Sequence, residues 1–146
     1  VRRFLRRSMI VRIATLSPAG NPDIIPLWFV NYRGRIYMTT RSENPTLRDL
    51  MRNPEVVLLF DFERGCRRGR VLRVRGRATF LTERHVLVPV FALSALRYYL
   101  SPGGMANTFR NRRKFAVRMR YYEERAGESG VIEVVPETAE FLKNPM

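Results

Sequence analysis

The sequence is poor in the residues that most enzymes use for nucleophilic, acid–base and metal chemistry. It has one cysteine, Cys66, and one histidine, His85, among 146 residues. A single cysteine excludes an internal disulfide, and one histidine with one cysteine cannot form an ordinary zinc site. We therefore expect no metal centre. We also expect His85, in the first turn of a predicted helix, to be a surface residue.

The chain also lacks long apolar runs. No run approaches the roughly 18 apolar residues that a membrane-spanning helix needs, so we expect no membrane association. The arginine-rich N-terminal segment is not followed by an apolar stretch with a small-residue cleavage site, which is not the pattern of a signal peptide. These absences favour a cytoplasmic protein. A hydrophobic fraction of 45% predicts one folded domain over residues 1–146.

Lysine and acidic residues are scarce, whereas arginine is abundant. Lysine occurs only at positions 114 and 143, and 13 Asp and Glu residues oppose 27 Lys and Arg residues, for a formal net charge of +14. Arginine presents planar, forked donors that suit phosphate and carboxylate groups. Composition leaves three interpretations open: a coding bias towards arginine, binding of an anionic small molecule, and binding of nucleic acid.

The most regular pattern in the chain runs from Ile13 to Phe60, where apolar runs alternate with turn signals. Strands are predicted at residues 10–16, 24–30, 36–40 and 55–62. A short helix capped by Thr46 is predicted before the fourth strand. Pro26 lacks an N–H donor, so we expect it at a bulge or an unpaired edge. This is the pattern of a β-meander with one small helix inserted.

The second half predicts a further strand and a longer helix. Residues 70–81 alternate between an arginine-bearing face and an apolar face, and Gly76 indicates a bulge or a close backbone approach. A helix is predicted from Thr82 to about Leu100. A mobile loop at residues 101–104, a final strand at 131–135 and a short tail at 136–142 are predicted to follow. The element order predicts an α+β domain around an antiparallel barrel.

Several catalytic motifs are absent from the sequence. There is no GxGxxG segment, no P-loop and no Gly-x-Ser-x-Gly nucleophile elbow. Acidic residues are sparse and scattered, which does not favour a hydrolase with paired carboxylates. An enzyme built on this chain would have to obtain its reactivity from a cofactor.

A set of short segments carries a family resemblance: Arg12-Ile13-Ala14-Thr15-Leu16, Gly20-Asn21-Pro22, Ile25-Pro26-Leu27-Trp28, Ile36-Tyr37-Met38-Thr39-Thr40, Leu50-Met51-Arg52-Asn53-Pro54 and Val56–Phe60. Further on come Arg73-Val74-Arg75-Gly76-Arg77-Ala78 and Val131-Ile132-Glu133-Val134-Val135-Pro136-Glu137. In this order and spacing they resemble the pyridoxamine 5'-phosphate oxidase-like family of FMN-binding split-barrel proteins. The likeness covers most of the chain and is weakest over Phe91–Glu128.

The resemblance implies an antiparallel split β-barrel that works as a homodimer, with an FMN in each of two grooves between subunits. In the family, the flavin ring lies along the strand that corresponds here to Ile25–Trp28. The phosphate is held by a threonine at the end of the next strand and by basic residues that lead into the small helix. The implied cofactor-binding residues are Pro26, Leu27, Trp28, Thr39, Thr40, Arg41, Thr46, Arg48 and Arg73.

One departure from the family pattern concerns the phosphate. Where the family often has an Arg-Lys pair, this chain has Pro45-Thr46. Arg41 and Arg48 would replace the missing charge, and Thr46 would add a hydroxyl and a helix N-terminus. Two positions also have purely structural interpretations: Trp28 as a core or dimer-interface residue, and Arg73 as part of a solvated face.

The function that the resemblance implies is a flavin-dependent oxidoreductase that transfers hydride between FMN and a small organic substrate. Relatives in the family bind the 8-hydroxy-5-deazaflavin coenzyme (coenzyme F-420), and others bind haem or no redox cofactor. A deazaflavin-dependent reductase and a non-catalytic protein that binds an anionic ligand are therefore the alternatives. The sequence identifies neither the catalytic residues nor the substrate.

Two basic clusters bear on nucleic-acid binding. Phenylalanines at positions 109 and 115 flank the second cluster, and such clusters can follow phosphates. No helix-turn-helix, RNP-like or zinc-finger signature accompanies them, so we do not expect nucleic acid to be the partner. The clusters are Arg67, Arg68 and Arg70, and Arg110, Arg112, Arg113 and Lys114.

Overall fold

The computed structural model describes residues 1–60, 70–110, 112–113 and 129–143. The helices are α1 (Arg2–Arg7), α2 (Pro45–Arg52), α3 (Arg84–Tyr98) and α4 (Pro102–Arg110). The strands are β1 (Val11–Leu16), β2 (Pro22–Leu27), β3 (Val30–Tyr32), β4 (Arg35–Arg41), β5 (Glu55–Phe60), β6 (Arg70–Leu81) and β7 (Ser129–Lys143). Within these ranges, no helix has the length and apolar character needed to cross a membrane.

The seven strands form one antiparallel sheet with the order β2-β1-β5-β6-β7-β4-β3. Its two edge strands, β2 and β3, are consecutive in the chain and are separated only by Trp28 and Phe29. Because the three Cα–Cα steps from Leu27 to Val30 span at most about 11 Å, the sheet curls until its edges approach each other. The fold is the α+β antiparallel split barrel that the sequence predicts, and Pro26 lies on an edge strand as expected.

Side chains that face the inside of the barrel form the main core. In β6, Leu72, Val74 and Ala78 are buried, whereas Arg75 and Arg77 are exposed, which confirms the predicted alternation. Helix α2 packs its buried leucines into the same core. Removing these apolar side chains from water is the main contribution that stabilises the barrel. The fully buried residues of this core include Ile13, Phe29, Met38, Leu58 and Phe60.

The expected bulge or close approach at Gly76 is confirmed. The register between β6 and β7 shifts between Arg75 and Gly76. A Cβ atom at Gly76 would lie 2.3 Å from the carbonyl oxygen of Val135, closer than any side chain tolerates. Glycine at position 76 therefore allows the backbone of β7 to approach β6 closely at the register shift.

The structure corrects three predicted boundaries. The second predicted strand is interrupted at Trp28 and Phe29, which separate β2 from β3. The predicted mobile loop at residues 101–104 instead leads into α4, which begins at Pro102, a residue that is well suited to the first helical position because its missing N–H needs no partner there. The last strand does not end at Val135 but continues to Lys143. Pro136 is tolerated because β7 pairs with β4 only as far as Val134, and because the register shift against β6 leaves the next residue of β7, Glu137, as the extra residue of a bulge.

A second apolar cluster lies where α3 packs against β3 and β4. Its buried members include Val30 and Tyr37 from the strands and Val90 and Tyr98 from the helix. Trp28 packs against this cluster from the junction between β2 and β3. Helix α3 therefore covers the sheet beside the place where its two edges meet.

The Tyr98 hydroxyl holds this junction together. It accepts a hydrogen bond from the backbone N–H of Phe29 at 3.0 Å, and it lies 2.8 Å from the carbonyl oxygens of both Phe29 and Met9, to which its proton can donate. Phe29 is buried and belongs to neither strand, so its backbone groups have no strand partner. The phenol of Tyr98 supplies that missing partner.

The neighbouring Arg97 ties α1 to the same place. Its Nη2 group donates to the carbonyl oxygen of Leu5 at 2.9 Å and also to that of Ser8. Its guanidinium carbon lies 4.6 Å from the centre of the Phe29 ring, within the range of a cation–π contact. Two consecutive residues of α3 therefore fix α1 and the β2–β3 junction.

A buried carboxylate links β4 to β7. Glu133 is 8% exposed, and it accepts hydrogen bonds from the Tyr37 hydroxyl at 2.8 Å and from Arg35 at 2.9 Å. The Arg35 guanidinium supplies the opposite charge that burial of a carboxylate requires. Burial, followed by the hydrogen bond to Glu133, raises the pKa of Tyr37. Burial likewise raises the pKa of Tyr98.

Replacing Tyr98 with Phe should lower the free energy of unfolding by about 1–3 kcal/mol, because buried backbone groups at Phe29 lose their partner while the ring stays. Chemical denaturation followed by circular dichroism measures this. Tyr32→Phe is the matched control, since the Tyr32 hydroxyl has no hydrogen bond to a described residue and its loss should change stability by less than about 0.5 kcal/mol. Equal effects of the two substitutions would contradict the role assigned to Tyr98.

The protein should lose stability as the pH rises above about 10, the ordinary pKa of a tyrosine. The folded-state pKa values of Tyr37 and Tyr98 lie above their unfolded values, so the folded protein holds these protons more tightly. Their contribution is complete below the unfolded pKa and is lost as the pH rises through the folded pKa. With lysine only at positions 114 and 143, tyrosines dominate titration in this range.

Denaturation midpoints between pH 9 and 11.5 test this prediction. The midpoint of the Tyr98→Phe variant should fall less steeply with pH than that of the unaltered protein, because the variant has lost one of the two tyrosines whose pKa is raised by folding. An equally steep decline in both proteins would contradict it.

Candidate functional site

The residues predicted to line the flavin ring are Pro26, Leu27 and Trp28, and we call them the ring wall. They lie at the break between the edge strands β2 and β3. Pro26 is exposed, and Leu27 and Trp28 are half-buried. The Trp28 indole stacks on Tyr98 with ring centres 4.6 Å apart and planes 8° apart, and it meets Tyr99 edge-on at 5.7 Å. One face of the indole is therefore occupied by Tyr98. The structural interpretation of Trp28 therefore has support.

The predicted phosphate-binding threonines lie at the end of β4. Val30, the first residue of β3, pairs with Tyr37, and β4 continues beyond this pair to Arg41, on the side from which Trp28 enters β3. Thr39, Thr40 and Arg41 are all half-buried. The predicted ring wall and the predicted phosphate residues therefore lie at the same end of β3 and β4.

Asn44 organises the turn that follows β4. Its Oδ1 accepts a hydrogen bond from the backbone N–H of Thr46 at 3.0 Å, and its Nδ2 donates to Thr40 Oγ1 at 3.0 Å. The first bond requires an oxygen at that position and so fixes which end of the amide faces Thr40. Because Thr40 Oγ1 accepts from Asn44, its own proton points elsewhere. That proton has no acceptor among the described residues.

The N-terminus of α2 differs from the prediction that Thr46 caps it. Asn44 is the cap, Pro45 occupies the first helical position, and Thr46 is buried at 2% exposure. The N–H of Thr46 bonds to the Asn44 side chain and the N–H of Leu47 to the Asn44 carbonyl oxygen. These amides already have partners. An anion here would therefore depend on side chains, among which Arg48 is exposed on α2.

Arg73 lies far from this end of the barrel within one chain. Thr40 pairs with Gly130 and Arg73 with Glu140, ten residues apart on β7, which is about 30 Å along a strand. Arg73 donates two hydrogen bonds to the Glu140 carboxylate. The register instead aligns Arg73 with Pro26 in one row across the outer face of the sheet. That row is Pro26, Arg12, Leu59, Arg73 and Glu140.

Sequence reasoning missed Asn44, Arg97 and Tyr98. Asn44 followed by Pro45 is a recognisable helix start, so a local signal was present. The other two act on segments about 70 to 90 residues away and leave no local pattern. His85 is exposed, as expected, and no cluster of metal-binding side chains occurs in the described part of the chain. The residues of five further predictions lie outside the described part of the chain: Cys66, Arg67, Arg68, Lys114 and 115–122.

Solved structures share this fold. A putative pyridoxamine 5'-phosphate oxidase from Listeria innocua has a TM-score of 0.68 and 15% identity, covering 98% of this chain and 95% of its own. An F420 reductase has a TM-score of 0.65 and 16% identity, covering 95% and 94%. An FAD-binding protein from Mesorhizobium loti has a TM-score of 0.66 and 14% identity, covering 96% and 89%. At these identities the similarity shows the fold alone.

The family follows from the sequence match rather than from these structures. No functionally curated protein is significantly similar to the chain. The family model described as pyridoxamine 5'-phosphate oxidase, in contrast, matches residues 1–143, which is nearly the whole chain. With the split barrel already established, the chain therefore belongs to the pyridoxamine 5'-phosphate oxidase family.

Proposed function

We propose that the protein is an FMN-dependent oxidoreductase that acts as a homodimer. The observation that carries the proposal is the Thr40 hydroxyl at the barrel end that also contains Trp28. Asn44 donates to this hydroxyl, whose own proton has no acceptor in the described part of the chain. Family membership supports a flavin at this end. The bound flavin would supply the hydride transfer that the scarce acid–base residues of this chain cannot provide.

The residues at this end fit a flavin phosphate through side-chain donors. The Thr40 proton can donate to a phosphate oxygen, and the guanidinium groups of Arg41 and Arg48 supply positive charge. The backbone N–H groups of Thr46 and Leu47 at the start of α2 do not contribute, because they already donate to Asn44. This arrangement replaces the Arg-Lys pair that the family often has at the positions of Pro45 and Thr46.

The ring wall has a defined shape before any ligand binds. Trp28 is immobilised by its stack on Tyr98, and the backbone of the adjacent Phe29 is held by the Tyr98 hydroxyl. A rigid wall lowers the conformational entropy lost when a flat ring packs against it. The role of these residues in the proposed reaction is to orient the ring and to exclude water from one side.

A homodimer would complete the site. The outer face of β1, β2, β5 and β6 carries exposed apolar side chains, including Leu16 at 46% and Ile24 at 54% exposure, beside the arginines of β6. Large exposed apolar patches commonly mark interfaces. Two copies of this face would bring like charges together, and an anionic cofactor in the groove between them would offset that repulsion. Arg73 would then serve the cofactor of such a groove.

A deazaflavin-dependent reductase is the second candidate. The F420 reductase fold is similar over 95% of this chain, and Arg73, Arg75 and Arg77 form an outward-facing row on β6. Such a row suits the longer acidic tail of a deazaflavin coenzyme. A third candidate is a non-catalytic protein that binds an anionic ligand. It differs from both enzymes in that no electron donor and acceptor would reduce and reoxidise its bound cofactor.

Asn44→Asp should weaken FMN binding at least tenfold without destabilising the fold. The new carboxylate still caps α2, but it accepts the Thr40 proton and repels the phosphate. Titration followed by flavin fluorescence, together with thermal unfolding, measures both effects. Asn53→Asp at the other end of α2 is the matched control and should bind FMN like the unaltered protein. Unchanged affinity in Asn44→Asp would contradict phosphate binding at Thr40.

Ile24→Lys should convert the proposed dimer to monomers, because it buries a charge in an apolar interface. Sedimentation velocity should give about twice the 17.1 kDa chain mass for the unaltered protein and the single mass for the variant. Met51→Lys, at a side chain that is 83% exposed on α2, is the control and should remain dimeric. A monomeric unaltered protein, or a dimeric Ile24→Lys variant, would contradict this interface.

A further inference from the structure

A cavity of about 340 Å³ lies where α1, the turn between β3 and β4, and α3 come together. Its volume is at the lower end of the range for sites that bind small molecules. Helix α1 contributes Arg2, Leu5 and Arg6, which lie on one side of the helix at positions i, i+3 and i+4, and α3 contributes Arg97. We call it the four-arginine cavity; its lining residues are Arg2, Leu5, Arg6, Asn31, Arg33, Gly34 and Arg97.

No described carboxylate compensates the charge of this cavity. Four of its seven lining residues are arginines and none is acidic. The described ion pairs of the chain involve Arg35 and Arg73 instead, and none of the four cavity arginines pairs with a described carboxylate. Guanidinium groups gathered without a counter-charge repel one another, and an anion with several oxygens relieves that repulsion while satisfying their donors.

Arg97 is held in place before any ligand binds. Both protons of its Nη2 are used by the carbonyl oxygens of Leu5 and Ser8, and its plane contacts the Phe29 ring. Its Nη1 group has no hydrogen-bond partner among the described residues, which leaves two donors for a ligand. A fixed guanidinium loses little entropy on binding, so Arg97 is suited to anchor an anion that Arg2, Arg6 and Arg33 enclose.

The backbone at Arg33 supports a functional role for that residue. Arg33 has φ of 50° and Gly34 has φ of 77°, the left-handed conformation that a two-residue hairpin turn requires. Asn, Asp and Gly are the residues that adopt this conformation readily, whereas arginine is disfavoured there. Arg33 therefore places a guanidinium at the rim of the cavity from a backbone conformation of the kind that clusters at functional sites.

The cavity is distinct from the proposed flavin site. Gly34 immediately precedes β4 and Thr40 lies near its end, six residues away, which is about 20 Å along an extended strand. One phosphate cannot contact both places. We propose that the four-arginine cavity is a second binding site, for a small molecule with two or more negative charges on phosphate or carboxylate groups.

Isothermal titration calorimetry with inorganic pyrophosphate and with citrate tests this proposal at low ionic strength. We expect a saturable isotherm with one ligand per chain for at least one of the two anions. The double variant Arg2→Gln, Arg6→Gln should lose at least tenfold in affinity. Its matched control, Arg3→Gln, Arg7→Gln, removes the same charge from the same helix outside the cavity and should bind like the unaltered protein. No saturable binding, or equal losses in both double variants, would overturn the proposal.

A second variant separates binding from folding. Arg33→Asn removes a cavity charge but places a residue suited to positive φ in the turn, so thermal stability should be equal or higher while anion affinity falls several-fold. Unchanged affinity would overturn the proposal. The titration is repeated with saturating FMN, where the anion affinity should be unchanged, and displacement by FMN would show that there is no second site. Because the anion titration needs no flavin, its result stands whether or not FMN binds.

Discussion

The break between the two edge strands of the split barrel depends on one hydroxyl group, that of Tyr98. The chain passes from one edge of the sheet to the other through two residues, and the backbone of Phe29 leaves the strands at that point. A buried N–H or carbonyl without a partner costs about 1–3 kcal/mol. Tyr98 bonds to both groups of Phe29 and so makes the break in the sheet stable. The same residue fixes α3 and stacks on Trp28, and its neighbour Arg97 fixes α1.

The position of Tyr98 connects the stability of the fold with the proposed function. Because Trp28 lies between the edge strands, its orientation depends on the Tyr98 ring rather than on strand pairing. The nearby turn is arranged in a comparable way, since one asparagine caps α2 and orients the Thr40 hydroxyl. In both places a side chain that supports the backbone also positions a candidate cofactor contact. At each of the two residues, Tyr98 and Asn44, one contact supports the backbone and another positions the candidate cofactor contact.

Sequence patterns predicted most of the fold because alternation, turn residues and Gly76 are local signals. The meander, the inserted helix and the outward-facing arginines of β6 follow from them. The break at Trp28 and Phe29 was missed because the side chain that stabilises it lies 69 residues further on. The long β7 was missed because Pro136 ends most strands, and only its position past the β4 pairing makes it acceptable here. For the candidate site, the family resemblance implied Thr39–Arg41 and Thr46–Arg48, whereas Asn44, which lies between these segments and bonds to both, was not identified.

The most direct test is a crystal structure of the protein with FMN. If the account is correct, the phosphate lies within hydrogen-bond distance of Thr40 Oγ1, the ring lies along Pro26–Trp28, and a second copy of the chain completes the groove. An FMN phosphate in the four-arginine cavity, or a ring away from Trp28, would contradict it.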